Sequence, residues 1–318
     1  MTGGVLLQAV LSGLAAGAVI GLVAVGFTLV WSLTRVLALA HGDLVVASAL
    51  TGVLVVVGRT PVAISLDPFR SVAVVVVAIV VGVALSVLAY LVTVRPFLDR
   101  SQRSEDVLGW VAGGVTAGLV VRTALGLALP AAAYAVPDPI HFDELTSSGT
   151  VSLPGGGSVG VRVFPVLVVA LLVAAAADLF IHRSSLGRAM RAAADDVDAA
   201  SLCGVPLERT VIAAFALAGL LAAVAGLLDA PGRSVAVDSG ALLGVSGAAA
   251  AVLGRLGSAR GAVVGGLALG VVQQLVALDA HLGPGWAAAV APAVLVCVLA
   301  VRPGGLRAGR ASPQAAVE

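Results

Sequence analysis

The sequence predicts an all-α protein, a polytopic bundle of transmembrane helices with a small extracytoplasmic β-hairpin loop. The first observation is composition: of 318 residues, 60 % are hydrophobic and 11 % charged, and the mean hydropathy is +1.12. Soluble domains carry about a quarter charged residues. The second observation is that nine apolar stretches follow one another along the chain, several of them near the roughly 20 residues that a membrane span requires. We therefore expect eight or nine crossings, some made by short or discontinuous helices.

The nine stretches form one transmembrane domain over residues 1–301, and residues 302–318 form a C-terminal tail. Two of the stretches are too short for a straightforward span, and one of these two follows a polar triplet. Short or glycine-interrupted segments are typical of discontinuous helices that line a cavity. The stretches are 5–30, 44–57, 72–94, 107–129, 163–181, 211–228, 242–253, 262–278 and 286–301.

The placement of arginine orients the bundle, because cytoplasmic loops of membrane proteins carry an excess of basic residues. One assignment of the loops gives thirteen arginines on one face and five on the other, and we take the richer face as cytoplasmic. The C-terminal tail is then cytoplasmic, and the N-terminus is outside if the short segments are counted correctly. The thirteen are Arg35, Arg95, Arg100, Arg103, Arg183, Arg188, Arg191, Arg209, Arg255, Arg260, Arg302, Arg307 and Arg310, and the five are Arg59, Arg70, Arg122, Arg162 and Arg233.

Two connecting segments are long enough to form structure of their own. In the extracytoplasmic loop 130–162, two short β-like segments flank a Pro-Gly-Gly-Gly sequence, which predicts a β-hairpin. In the cytoplasmic loop 182–210, charged residues alternate with alanine up to Gly204 and Pro206. This second pattern predicts a short amphipathic helix or helix pair.

Composition also excludes several kinds of chemistry. All 18 basic residues are arginine, so no lysine is present for a Walker A phosphate contact or a Schiff base. A net charge of +1 points to no nucleic-acid partner. The two cysteines, Cys203 and Cys297, lack metal-type spacing, so we expect no disulfide framework, no metal site and no cofactor.

Glycine spacing in two of the apolar stretches indicates closely packed helices. Small residues that recur about every four positions let helix backbones approach one another. By itself this spacing indicates a bundle and says nothing of function. The glycines are Gly13, Gly17 and Gly21 in the first stretch and Gly261, Gly265, Gly266 and Gly270 in the eighth.

Four sequence blocks, in order along the chain, carry a family resemblance. The first is residues 16–30 followed by Ala40-His41-Gly42-Asp43, and the second is Arg95-Pro96-Phe97. The third begins at Ser185-Leu186-Gly187-Arg188 and extends to residue 226, and the fourth extends over 244–270. Together they cover nearly the whole chain and resemble the inner-membrane permease subunits of ABC importers for branched-chain amino acids, in particular the high-affinity leucine/isoleucine/valine type.

The resemblance implies a multi-pass subunit of the bacterial plasma membrane that has no catalytic residues, with ATP hydrolysis in a partner chain. The partners it implies are ABC ATPase subunits, a second permease subunit in a homodimer or heterodimer, an extracytoplasmic solute-binding protein and the lipid bilayer, with no nucleic acid.

The resemblance also implies that the loop 182–210 couples the permease to the ATPase. Asp198 opens an Asp-Ala-Ala-x-x-x-Gly pattern in which the general importer signature has Glu, and the usual Ile-x-Leu-Pro tail is absent. The candidate coupling residues are Gly187, Arg188, Arg191, Asp195, Asp196, Asp198, Ala199, Ala200 and Gly204.

The segment Ala40-His41-Gly42-Asp43 is a candidate for the translocation path or the inner gate. Polar residues at membrane depth are costly and are usually functional or paired, and Gly42 would let the backbone bend. The alternative is structural: His41 and Asp43 cap helix ends and pair with Arg35.

Departures from the family pattern leave the substrate open. Ala38 and Leu39 stand where the family has Asn and Phe, and Arg255 and Arg260 stand in the fourth block in place of glycine and proline. A branched-chain amino acid is the default substrate, with urea, short amides or other small metabolites as alternatives.

A different class of function is an ion-coupled secondary transporter or channel that acts without an ATPase. Its proton-coupling group would be Asp43, Asp178 or Asp229. Most acids of this chain, however, fall at the predicted ends of spans. Outside the membrane, an acidic residue such as Asp138 could pair with arginines of a binding protein or simply be solvated.

Overall fold

The computed structural model describes residues 3–34, 40–58, 67–95, 107–129, 133–138, 149–153, 156–278 and 284–301. Helices dominate this part of the chain, and four short strands form two small antiparallel pairs. The helices are α1 (Gly3–Thr34), α2 (His41–Val57), α3 (Pro68–Ala89), α4 (Val107–Ala128), α5 (Val163–Arg183), α6 (Ser185–Asp195), α7 (Val197–Leu202), α8 (Leu207–Asp229), α9 (Ser239–Leu253), α10 (Ala259–Leu278) and α11 (Pro284–Val301), and the strands are β1 (Tyr134–Ala135), β2 (Thr150–Leu153), β3 (Gly157–Gly160) and β4 (Ser234–Val235).

The predicted all-α membrane bundle is confirmed, and each of the nine apolar stretches contains a helix. Among the described residues, five helices are long and apolar enough to cross a membrane by length and composition: α1, α3 with its extension, α5, α8 and α10. The other four contain shorter apolar segments of 10–17 residues, His41–Val57, Gly114–Ala128, Ser239–Leu253 and Gly285–Val298. With a rise of about 1.5 Å per residue, the 17 residues of α2 and the 15 of α9 extend over about 26 and 22 Å. Both fall short of a hydrocarbon core about 30 Å thick.

Helix α1 is the central helix of the bundle. Every residue from Gly17 to Trp31 is buried, because the helix is apolar on all sides and packs against α2, α5, α8, α9 and α10. Its closest neighbour is α10. A Cβ atom on Gly17 would lie 2.7 Å from the carbonyl oxygen of Gly266, so only glycine fits where the two backbones meet. The same contact between α1 and α10 includes Gly13 and Gly21 on α1 and Gly270 on α10.

A second close packing joins α3 to α8. The Ser86 hydroxyl donates a hydrogen bond of 2.7 Å to the carbonyl oxygen of Phe215, and both residues are buried. At the end of α3 the chain continues in a π-helical turn, Tyr90–Val94, and the Tyr90 ring contacts the Phe215 ring with centroids 5.2 Å apart. The exposed Arg95 then pairs with Glu208 at 3.0 Å, which links the end of α3 to the start of α8.

The predicted β-hairpin is confirmed. Strands β2 and β3 pair antiparallel from Thr150 opposite Gly160 to Leu153 opposite Gly157. The hairpin packs on the start of α1, where the Ser158 amide donates to the Gln8 side chain at 3.2 Å. The sequence did not predict the second pair, in which β1 and β4 join the segment after α4 to the segment after α8.

Candidate functional site

The first candidate site is the start of α2, which Ala40 precedes in helical geometry. The Leu44 amide donates to the Ala40 carbonyl oxygen at 3.1 Å, and no side chain caps this end of the helix. Asp43 lies in the first turn, where the helix dipole favours a negative charge. Arg35, the partner that the structural alternative names, lies outside the described residues.

Asp43 pairs instead with Arg122 of α4. An oxygen of the Asp43 carboxylate lies 3.1 Å from Arg122 Nη2, and the other terminal nitrogen of Arg122 lies 3.7 Å from an Asp238 oxygen. The Asp43 side chain is 8 % exposed, that of Arg122 29 % and that of Asp238 85 %. We call these three residues the Asp43 cluster. The cluster joins α2, α4 and the residue before α9. It extends from a buried carboxylate to an exposed one.

Two glycines make room for the Asp43 carboxylate. A Cβ atom on Gly118 of α4 would lie 2.6 Å from Oδ2, and one on Gly240 of α9 would lie 2.8 Å from Oδ1. Gly42 also packs against the backbone of α9 at Gly240 and Gly244, closely enough that a side chain at Gly42 would collide. The Gly-Asp pair thus brings two short helices into backbone contact at the charged group.

His41 lies on the opposite, inward side of the α2 start. Its imidazole is 2 % exposed and contacts the Phe27 ring edge to face, with centroids 5.2 Å apart. A side chain on Gly26 would collide with this imidazole. The buried Nε2 atom has no hydrogen-bond partner in the described part of the chain.

The second candidate site is the helix pair α6 and α7 within the loop 182–210. The predicted amphipathic helix pair is present, and its two helices meet at Asp196. Ser184 caps α6, because its hydroxyl oxygen accepts a hydrogen bond of 2.8 Å from the Gly187 amide. Gly187, Met190 and Ala193 form the buried face of α6, and Gly187 fits directly against the backbone of α5 at Ile181.

The two arginines of α6 bond to the end of α5. Arg191 donates to the His182 carbonyl oxygen at 3.3 Å and Arg188 to the Arg183 carbonyl oxygen at 3.4 Å. Cationic side chains beside free carbonyl groups at a helix C-terminus are stabilised by the helix dipole. Arg188 and Arg191 therefore hold the angle between α5 and α6.

Asp196 caps α7, since one of its carboxylate oxygens accepts from the amides of Asp198 and Ala199 at 2.9 Å each. Ala200 is the buried contact of α7 with the rest of the chain. Asp195, Asp198 and Ala199 are exposed. Helix α7 therefore presents Asp198 and Ala199 to its surroundings, and Asp195 is exposed at the end of α6.

The exposed face of α7 also carries apolar residues. Leu202 is 89 % and Val197 47 % exposed, and the exposed Cys203 follows. Gly204 ends the segment with φ of +81°, a conformation that L side chains rarely adopt, and a side chain there would meet open space. A short capped helix with an apolar outer face has the form of a docking element.

The three acids that an ion-coupled transporter would use all have arginine partners. Besides Asp43 with Arg122, Asp229 pairs with Arg233 one helical turn on. Asp178 pairs with Arg260 at 3.0 Å. Arg260 thus contacts α5.

Asp138, which lies outside the helices, also has an arginine partner within this chain. Its carboxylate lies 3.8 Å from Arg162. No group of three histidine, cysteine, aspartate or glutamate side chains within the described residues could hold a metal ion.

Sequence reasoning missed Arg122 and Asp238 as members of the first site and counted Arg122 among the outer arginines. A signal was available, since Arg122 stands six residues before the end of an apolar helix, and an ionisable residue inside a span is a candidate functional residue. Its partner Asp43 is 79 positions away, so no local pattern could pair them.

A bundle of apolar helices with a charged cluster between its short helices and a projecting polar helix pair has the form of a membrane transport subunit. The comparison with known families agrees: residues 9–299 match the model described as "Branched-chain amino acid transport system / permease component", and the chain belongs to this family. The predicted resemblance is thereby confirmed, and with it the prediction that the chain is a transport permease.

Curated relatives match over nearly their whole length. The high-affinity branched-chain amino acid transport system permease protein LivH of Salmonella typhimurium is 27 % identical over 303 residues, 94 % of each chain. The corresponding permease protein BraD of Pseudomonas aeruginosa is 28 % identical over 305 residues, 94 % of this chain and 95 % of BraD. Among solved structures, PsaBC from Streptococcus pneumoniae in complex with Fab matches with a TM-score of 0.45 at 13 % identity, over 91 % of this chain and 90 % of that chain.

Proposed function

We propose that this chain is the permease subunit of an ABC importer and forms the translocation pathway for branched-chain amino acids. The observation that carries the proposal is the family match over residues 9–299, together with relatives of the same length that are named for this transport. The subunit itself is not an enzyme. A separate ATPase drives transport, a second permease subunit completes the pathway, and an extracytoplasmic binding protein delivers the substrate.

The helix pair α6 and α7 is the proposed docking element for the ATPase. A docking element has to transmit force, so it must be rigid against its own domain and leave its outer face free for the partner. The caps at Ser184 and Asp196 and the buried residues Gly187 and Met190 supply the rigidity. The apolar Leu202 and the acids Asp195 and Asp198 supply the free face. An ATPase groove with an apolar floor and a basic rim would complement it.

The Asp43 cluster is the proposed polar element of the translocation path or gate. Helices α2 and α9 are both too short to span the membrane alone, and they meet at this cluster. Arg122 pairs with both the buried Asp43 and the exposed Asp238, so these two ion pairs couple the positions of α2, α4 and the start of α9. If α2 or α9 moves when the pathway opens, these ion pairs must rearrange, so the cluster can hold one state of the gate.

The proposed function agrees with the orientation that the arginine distribution predicts. The α6–α7 segment and the C-terminal tail lie in the cytoplasm with the ATPase. The β2–β3 hairpin and the start of α1, which it contacts through Gln8 and Ser158, lie outside and face the binding protein. The chain is then a multi-pass protein of the bacterial cell membrane.

The proposal is tested by purification from the native membrane combined with uptake of labelled leucine. The tagged chain is isolated and its partners are identified by mass spectrometry, and uptake is measured with and without vanadate. We expect an ATPase, a second permease and a binding protein to copurify, and uptake to be sensitive to vanadate. A chain that purifies alone and carries its substrate along a proton gradient would contradict the proposal.

A matched pair of variants locates the ATPase contact. Gly204→Arg and Gly156→Arg each place a long side chain at an exposed glycine with positive φ, with no atom near enough to clash. The backbone strain is therefore similar in both, about 1–2 kcal/mol. Gly204→Arg should abolish copurification of the ATPase, and Gly156→Arg, in the outer hairpin turn, should leave it intact. Equal behaviour of the two variants would contradict docking at α7.

A further inference from the structure

A cavity of about 470 Å³ lies between the end of α1, the end of α5, the helix α6 and the turn from α9 to α10. This volume is within the roughly 300–1,000 Å³ range of small-molecule sites. The cavity is separate from the Asp43 cluster and shares no residue with it. Its wall includes one face of α6, so a molecule bound in the cavity contacts the first helix of the proposed docking element.

Two buried polar groups in the wall lack partners. The Thr28 side chain is 3 % exposed, and its hydroxyl has no hydrogen bond in the described structure. Asp178 accepts a hydrogen bond of 3.0 Å from Arg260 through Oδ2, whereas its buried Oδ1 accepts none. The nearby His182 lies 3.3 Å from Oδ1 but bonds to the Asp178 backbone carbonyl at 2.8 Å. Buried groups left in this way cost free energy unless a ligand or water satisfies them.

The remaining lining supplies the opposite charge and an apolar surface. Arg191 lies on the α6 wall and Arg260 on the α10 wall, and Leu29 and Met190 contribute apolar lining. Asp195 adds a second carboxylate to the α6 wall. A lining that combines acidic groups, cationic groups and an apolar surface matches a ligand that carries an ammonium group, a carboxylate and a short hydrocarbon side chain.

We propose that this cavity binds a free α-amino acid from the cytoplasmic side, with its ammonium group at Asp178 and Thr28 and its carboxylate at Arg191. The identity of the ligand as a branched-chain amino acid rests on the function proposed above. Because the bound molecule bridges the rigid unit of α5 and α6 to α1 and to the start of α10, it holds these helices in the arrangement seen here. An accumulated product would thereby slow the movement of this unit relative to α1 and α10 that ATP hydrolysis drives, and import would be inhibited by its own product.

Two alanines of α6 provide a matched test. Ala194 lines the cavity, and Ala194→Leu fills part of it with an isobutyl group. Ala192 lies on the exposed side of the same helix, and Ala192→Leu adds the same atoms outside the cavity. The two substitutions have the same effect on helix propensity, so a difference between them reports the cavity alone. Thr28→Val removes the unpartnered hydroxyl at nearly constant volume.

The measurement is equilibrium binding of tritiated leucine to the purified full-length chain with its copurified ATPase and second permease, after the binding protein has been removed. We expect Ala194→Leu to weaken binding by about tenfold or more, corresponding to about 1.4 kcal/mol, and Ala192→Leu to leave it unchanged. Leucinamide lacks the carboxylate and 4-methylpentanoate lacks the ammonium group, so neither should compete well with leucine.

Leucine binding that is absent, or equally strong in the two alanine variants, would overturn the cavity proposal, and so would effective competition by either analogue. Uptake measured on the same preparation, reconstituted with binding protein, separates this result from the proposed function. Uptake without leucine binding in the cavity would support the importer function and contradict the product-binding site. Cavity binding without uptake retains the site and contradicts the importer.

Discussion

The ion pair between Asp43 and Arg122 provides the sharpest test of the candidate path. Arg122→Gln removes the guanidinium and leaves a carboxylate that is 8 % exposed without its 3.1 Å partner. Breaking a buried ion pair from one side costs about 3–5 kcal/mol, because the remaining charge is uncompensated. Since the Arg122 side chain is 29 % exposed, the ion pair is only partly buried, and we expect a loss near the lower end, about 3 kcal/mol in the free energy of unfolding.

The double variant Asp43→Asn/Arg122→Gln removes both charges and should be more stable than the single losses predict. The expected coupling energy is about 2 kcal/mol, within the range for residues in direct contact. Stability is measured by unfolding in mixed detergent micelles. The control is Arg95→Gln, whose ion pair with Glu208 joins side chains that are 53 % and 56 % exposed and should cost less than about 1 kcal/mol. Additive single effects, or an Arg122→Gln cost no larger than that of the control, would refute the reasoning.

Three further predictions concern packing and caps. Gly17→Val should destabilise the bundle by more than about 3 kcal/mol, because its Cβ would lie 2.7 Å from a backbone oxygen of α10, whereas Gly126→Val, which faces open space, should change the free energy of unfolding by less than about 0.5 kcal/mol. Ser86→Ala should lower it by about 1 kcal/mol through loss of the hydrogen bond to Phe215, and a value near zero would contradict that bond. Asp196→Ala removes the α7 cap, worth about 1 kcal/mol, and should lower ATPase copurification without changing membrane insertion; unchanged copurification would count against a docking role.

The sequence predicted the parts of the fold that depend on local pattern. Each of the nine apolar stretches contains a helix, the segments on either side of the predicted turn form the strands β2 and β3, and the segment that alternates charged residues with alanine forms α6 and α7. Each of these depends on hydrophobicity, turn chemistry or helix propensity within about 20 residues. The short lengths of α2 and α9 were likewise visible in the stretches 44–57 and 242–253.

The composition of the candidate path could not be predicted in the same way. His41, Gly42 and Asp43 were identified as a polar segment, but the partners of Asp43 follow from the crossing of α2 with α4 and α9. The pair of Asp43 and Arg122 spans 79 positions, and the antiparallel pair of β1 and β4 spans about 100. Such contacts depend on how the helices pack in three dimensions, which one sequence does not specify locally.

The cavity beside α6 likewise could not be predicted from the sequence. Thr28 and Asp178 lie in apolar stretches where single polar residues are common, and nothing local distinguishes them. Their significance comes from the convergence of α1, α5, α6 and α10 on one space. Only the packed structure shows that both groups are buried without full hydrogen bonding.

The central claim is that an ATPase docks on α7, and the chain carries a natural probe for it in Cys203, which is exposed beside Gly204. With Cys297→Ser as the background, a photoactivatable maleimide attached to Cys203 samples the docking face alone. The control combines Cys203→Ser with Ser152→Cys and carries the same probe on the exposed hairpin strand β2. In native membranes we predict a cross-link between the Cys203 probe and an ATPase subunit, and none from the hairpin. A Cys203 probe that labels only lipid, or labels the ATPase no more than the hairpin probe does, would contradict the account.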